Sequence, residues 1–213
     1  MPEIIFNGAE GRLEGRYKHS SASDAPIALI LSPHPQKGGT MNNKVVYTLF
    51  HTFASHGFSV MRFNFRGVGR SQGTFDNGPG ELSDAASALD WMQSYNANAR
   101  SCWVAGFSFG SWIAMQLLMR RPEINGFVSV APPAGVHDFS FLAPCPSSGL
   151  IVHGSRDGMV AEANVARLAG KLSQQKNIKI DYRVVAGAGH TFSEHLPVLQ
   201  DTVGAYLRES LTP

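Results

Sequence analysis

The chain has 213 residues, 43% of them hydrophobic and only 16% charged, so a large core can form and wholesale disorder is excluded. Eighteen basic residues against sixteen acidic ones give a formal charge of +2, with no basic tract longer than Arg120-Arg121, too weak a field for a nucleic-acid binder. No apolar run approaches the ~18–20 residues of a membrane span, and MPEIIFNGAEG does not read as a signal peptide, so a cytoplasmic protein with no membrane partner is expected.

In chain order, strands are expected at Glu3–Phe6 and Leu13–Tyr17, joined by a turn at Asn7-Gly8 and therefore antiparallel. Further strands follow at Ile27–Leu31, Phe58–Phe63, Ser101–Ala105, Gly126–Val130, Gly149–Val152 and Ile178–Val185. Runs such as IALIL and GFVSV are apolar throughout, as parallel strands covered on both faces require. Helical periodicity appears over 42–56, 81–95, 109–120, 160–175 and 194–209; in the second, Leu82, Ala85, Ala86, Leu89 and Met92 form one apolar stripe. The pattern predicts one α/β domain over 1–213, a mostly parallel sheet of about eight strands flanked by helices. Cys102 and Cys145 lack metal-ligand spacing and read as reduced structural thiols.

Residues 101–110, SCWVAGFSFG, run a strand straight into Gly106-Phe107-Ser108-Phe109-Gly110, and a helical stretch follows at once. The pentapeptide alone is a weak signal, but a serine on a sharp strand-to-helix turn needs small residues two before and two after it. Such a serine stands above the carboxyl ends of the strands, where open α/β sheets bind ligands. The plainer alternative is a helix start with Ser108 as its N-cap.

A serine hydroxyl needs a base, and the base an orienting acid. Asp157 lies just past the strand ending in His153-Gly154, and His190 follows the last strand in Ala186-Gly187-Ala188-Gly189-His190. Both are in loops at the same sheet edge as Ser108, in the chain order serine, acid, histidine. Asp138 and Glu162 lack that placement. His153 reads as a core histidine, His19, His51 and His56 as surface, His195 as a surface or packing residue, and His137 as able to line a pocket. His190-Thr191-Phe192-Ser193-Glu194-His195 is not H-E-x-x-H, and no nucleotide loop or metal cluster occurs, so neither cofactor nor metal is expected. In Arg66-Gly67-Val68-Gly69-Arg70 a tight turn is expected, with Arg66 or Arg70 tied to backbone carbonyls.

An oxyanion needs two backbone donors. Phe109 N–H is one candidate; after the third strand Pro35 has no N–H, leaving Gln36 first and His34 second. The segment APPAGVHDFSFLAPCPSS, 131–148, is too short and proline-rich to fold a separate cap, so an open cleft is expected. His34, Phe107, His137, Phe139 and Phe141 are its candidate pocket residues, with Leu142 beside the last two.

PHPQKGGTMNNKVV, FNFRGVGRSQG, GFSFG, VAPP, HGSRD and GAGH together resemble the α/β-hydrolase fold, and within it small lidless serine hydrolases related to dienelactone hydrolases. By that resemblance Ser108, Asp157 and His190 match the catalytic triad, and Phe109 and Gln36 the oxyanion positions. This chain departs from the family in having Ser32 where its loop often begins with histidine, and Ser108 where dienelactone hydrolases carry cysteine. An aspartate would stand at that place in haloalkane dehalogenases and epoxide hydrolases. With the short uncapped segment 131–148, a carboxylesterase acting on short-chain small-molecule esters is expected, as monomer or homodimer. An acyltransferase using the same residues and a non-catalytic binding module of this fold are the alternatives.

Overall fold

The computed structural model describes residues 3–211. Strands β1 (Glu3–Gly8) and β2 (Gly11–Lys18) form an antiparallel hairpin in which buried Phe6 opposes buried Leu13. Asn7 and Gly8 belong to the ladder, facing Arg12 and Gly11, so the turn is Ala9-Glu10 rather than Asn7-Gly8. The Phe6–Leu13 pair sets this register, because a one-residue slip would turn an apolar side chain to water. The remaining strands are β3 (Ile27–Leu31), β4 (Ser59–Phe63), β5 (Cys102–Phe107), β6 (Ile124–Val130), β7 (Gly149–Gly154) and β8 (Ile180–Val185). All eight make one sheet in the order β1-β2-β4-β3-β5-β6-β7-β8, parallel from β4 onward.

Alternation along the central strands divides their side chains between two cores. Ile27, Leu29, Leu31, Val104, Phe127 and Ile151 point to one face, covered by helices α2 (Pro79–Tyr95), α3 (Phe109–Leu118) and α4 (Glu162–Ser173). Ala28, Ile30, Trp103, Ala105, Val128 and Val152 point to the other, under α1 (Lys44–Ser55) and α5 (Leu196–Leu211). Both faces are therefore dry, which is why β3 and β5 are apolar at every position. Cys102 and Cys145 are free and buried, and burial pushes the Cys102 thiol up to about 12.

Helix α2 starts two residues before the expected 81, because Pro79 suits a first turn and Glu81 accepts the N–H groups of Gly78 (2.7 Å) and Asp76 (3.0 Å). Helix α4 starts at Glu162, so Met159 and Val160 belong to the loop before it. The turn after β4 is tight, with Gly67, Gly69 and Gly73 at positive φ. Its arginines are tied to carboxylates, not to backbone carbonyls. Buried Arg66 places Nε 3.0 Å and Nη2 2.8 Å from Asp84 oxygens and Nη1 3.0 Å from Glu10, while Arg70 pairs with Glu3. A guanidinium that deep in the fold needs a counter-charge, which carbonyls do not supply. His51 and His56 are half-buried rather than on the surface; His56 Nδ1 lies 2.8 Å from Thr52 O.

Between β6 and β7, residues 131–148 form turns and no helix. Trp112 Nε1 donates to Asp138 O (3.0 Å) and Gln175 Nε2 to Leu142 O (2.8 Å). The segment is thus pinned onto α3 and the end of α4, and it raises no cap over the carboxyl edge of the sheet.

Candidate active site

Ser108 sits between β5 and α3 with φ 53° and ψ −122°, a conformation that L-residues rarely adopt. Neighbours hold it there. Its N–H donates to Val130 O at 2.9 Å, and a Cβ on Gly106 would lie 2.3 Å from Gly110 O. A Cβ on Gly110 would lie 2.4 Å from Ser32 O. The two glycines flanking the serine are thus a steric requirement of the turn.

The three loops after β5, β7 and β8 bring Ser108, Asp157 and His190 together. Ser108 Oγ is 3.0 Å from His190 Nε2, and His190 Nδ1 is 2.7 Å from Asp157 Oδ2. The Asp157 side chain is wholly buried, and its Oδ1 accepts the N–H groups of Met159 (2.8 Å) and Val160 (2.9 Å). Burial alone would push its carboxyl up; the His190 contact and the two backbone donors outweigh that and hold it below the usual range. The Phe107 ring packs 5.2 Å from the His190 ring. In such an array the imidazole can take the serine proton while a fixed anion balances the charge it gains.

His153, at the end of β7, is fully buried, and its Nε2 is 3.1 Å from Val160 O. Its Nδ1, 3.8 Å from Asp157 Oδ2, makes no hydrogen bond among the described residues. The sequence marks a core histidine here, whereas its place against the carboxylate depends on the folded loop. Asp138 instead accepts from Ser140 N (2.8 Å) and Oγ (2.7 Å), and Glu162 is exposed on α4.

Two lobes of one cleft open beside Ser108. The larger, about 210 Å³, includes His34, Lys37, Phe109, Val136, His137, Met159 and Val160 in its lining. The smaller, about 160 Å³, is reached past Pro33, Gly38, Gly39, Asn43, Phe107 and Thr191. Of the expected pocket residues, His34, Phe107 and His137 are present. Phe139 and Phe141 are not. They stack on each other at 6.1 Å, and Phe139 with Leu142 lines a separate groove of about 730 Å³ against α4. That groove is the larger void, but it holds neither Ser108 nor His190. The hydrogen bonds that pin 131–148 onto α3 and α4 turn these rings away.

The amide of Phe109, first in α3, and that of His34 donate to no acceptor among the described residues. Gln36 N–H is directed to His34 Nδ1 at 3.3 Å, and Gln36 is exposed outside both lobes. A 3-10 turn at Pro35–Lys37, capped by the His34 ring, produces that difference. Ser32 is structural, its Oγ donating to Phe63 O at 2.8 Å. Lys37, Val136 and Met159 are cleft residues that sequence reasoning missed; their only signal is proximity to the β3 loop, the 131–148 segment and Asp157. Among the described residues, no cluster of three His, Cys, Asp or Glu side chains is placed to hold a metal ion, and no helix is long and apolar enough to cross a membrane.

This sheet order, with a strained serine at its central strand-to-helix turn, is that of an α/β-hydrolase. The chain belongs to the family described as X-Pro dipeptidyl-peptidase (S15 family), whose model matches residues 19–179. It is similar, at 59% identity and TM-score 0.96 over 99% of this chain and 96% of the other, to an Agrobacterium tumefaciens protein of unknown function described as a candidate α/β hydrolase. An α/β serine hydrolase without a lid from Xanthomonas campestris is 30% identical, with TM-score 0.89 over 100% of this chain and 96% of the other. The lysophosphatidylserine lipase ABHD12 of Rattus norvegicus is 27% identical over 70% of this chain, which spans only 42% of that relative's length. The chain is thus a hydrolase of the α/β serine hydrolase type.

Proposed function

We propose that this chain is a serine esterase that cleaves short-chain carboxylic esters through an acyl-enzyme. The observation that supports it most is the unbroken path from Ser108 Oγ through His190 to buried Asp157, at a turn where the backbone is strained to present that hydroxyl. Ser108 Oγ attacks the ester carbonyl carbon while His190 Nε2 accepts its proton. Asp157 balances the imidazolium through Nδ1. The tetrahedral oxyanion takes hydrogen bonds from Phe109 N–H and from His34 N–H, because Gln36 N–H is occupied by the His34 ring. His190 then protonates the departing alkoxide, giving the alcohol and an acyl-serine. Water, deprotonated by His190, attacks that acyl carbon, and Ser108 leaves with the proton.

Two features favour a small ester over the substrates in the relatives' names. An X-Pro dipeptide would bring an α-ammonium group, yet the lining of both lobes holds Lys37 and, among the described residues, no carboxylate. A long lipid chain would lie largely in water, because the two lobes beside Ser108 measure only about 210 and 160 Å³ and the 131–148 segment raises no cap over them.

The test is covalent labelling with a fluorophosphonate, read by peptide mapping, alongside hydrolysis of p-nitrophenyl acetate. Labelling at Ser108 and loss of both signals in Ser108→Ala are expected. An intact Ser108→Ala rate, or label on another serine, overturns the assignment.

A further inference from the structure

Lys37 borders both lobes that reach Ser108. Its backbone is fixed by the turn that ends β3. Lys37 N–H and Gly39 N–H both donate to His34 O, each at 3.0 Å, and Pro35 opens the turn. The side chain alone is left to adjust. Burial is the main cause that lowers the pKa values of His34 and His137, and the Lys37 charge adds to it in both. The ammonium is thus felt on both sides of the larger lobe.

No carboxylate of the chain pairs with it among the described residues. The Asp157 side chain is wholly buried beneath His190. Asp138 is turned to Ser140, and the oxygens of Glu81 are taken by the N–H groups of Asp76 and Gly78. Burial and the Lys37 charge lower the pKa values of His34 and His137, and at His34 they outweigh the opposing charge of Glu81. A cation bordering the cleft that holds the nucleophile, borne on a fixed turn and with no ion-pair partner among the described residues, is matched by an anion of the substrate.

We propose that Lys37 makes this cleft selective for esters that carry an anionic group, a carboxylate or a phosphate, a few bonds from the scissile carbonyl. The inference rests on the serine-esterase reading above and names its substrate class.

The experiment compares kcat/KM for matched pairs of esters. One pair places the charge on the acyl part: p-nitrophenyl hydrogen succinate against p-nitrophenyl butyrate. The other places it on the alcohol part: 4-acetoxybenzoate against phenyl acetate. The charged-to-neutral ratio is measured for the wild type, Lys37→Met and Lys37→Arg, which cancels the intrinsic reactivity of each ester. In at least one pair the ratio should fall about 2- to 5-fold in Lys37→Met, the size of one solvent-exposed ion pair, and be kept in Lys37→Arg. The wild-type preference should also shrink at high salt. The pair that responds identifies which half of the ester bears the anion. An unchanged ratio in both pairs overturns the role of Lys37 while leaving the esterase reading intact. Turnover of no ester by the wild type, or equal turnover by Ser108→Ala, overturns both.

Discussion

His153 Nδ1 stands 3.8 Å from Asp157 Oδ2, with both side chains fully buried. Burial lowers the pKa of His153 despite that neighbouring carboxylate, so the folded protein favours the neutral ring. In the unfolded chain the same imidazole protonates at about pH 6.5. Below that value the unfolded state binds more protons than the folded one. The stability owed to the neutral ring is therefore complete above about pH 6.5 and is lost as pH falls toward the lower folded-state value. His153→Gln retains a donor for Val160 O but cannot titrate. Urea denaturation from about pH 7.5 to 5.5 should show a smaller loss of stability in the variant than in the wild type. Equal losses would show that His153 does not contribute.

The Ser108–His190–Asp157 array should respond unequally to its three truncations. Ser108→Ala and His190→Ala should each lower kcat by about 10⁴-fold or more, and Asp157→Asn somewhat less. The amide oxygen of asparagine can still accept from Met159 and Val160 but cannot balance an imidazolium. Steady-state kinetics on p-nitrophenyl acetate provide the check, and wild-type turnover by Asp157→Asn would remove Asp157 from the mechanism.

Two glycine substitutions should differ in sign. Gly110→Ala places a methyl 2.4 Å from the backbone oxygen of Ser32 and should destabilise the fold and remove fluorophosphonate labelling. Gly170→Ala, within α4, meets nothing within 4 Å and should stabilise by about 0.5–1 kcal/mol. Thermal melts of the two variants make the comparison.

Asp84 and Arg66 are 1% and 2% exposed. Asp84→Ala would leave the buried guanidinium with Glu10, itself half in water, as its remaining ion pair among the described residues and Glu81 as a more distant charge. A loss of about 3–5 kcal/mol is expected, as for breaking one side of a buried ion pair. Chemical denaturation reads it, and a loss no greater than that of an exposed pair such as Arg100–Asp24 would contradict it.

The open cleft limits the useful acyl chain. Each buried methylene adds about 0.8 kcal/mol until the lobe is filled. Across p-nitrophenyl esters, kcat/KM should therefore peak between acetyl and roughly hexanoyl and fall beyond it. A maximum at palmitate, or activation at a lipid interface, would contradict the volume argument.

What the sequence by itself determined is the layered α/β architecture and the edge at which Ser108, Asp157 and His190 meet. Both follow from local signals. Continuous apolar runs mark strands covered on two faces, and parallel strands send the loops after β5, β7 and β8 to one edge. Gly106 and Gly110 are legible for the same reason, because the steric demand of the turn falls within five residues.

What only the tertiary structure decided depends on where segments are pulled by distant partners. Phe139 and Phe141 read as cleft walls until Trp112 and Gln175, far off in sequence, bind the carbonyls beside them and turn the segment away. Gln36 reads as carrying a free backbone donor, whereas in the fold the His34 ring caps its N–H. Arg66 reads as a turn residue until Asp84, 18 residues on, meets it in the core. Lys37 and Met159 carry no pattern at all; they become cleft residues because the ends of β3 and β7 are brought beside Ser108. Periodicity reports which face of an element is buried, whereas side-chain partners across the sheet edge depend on loop conformations set by long-range hydrogen bonds.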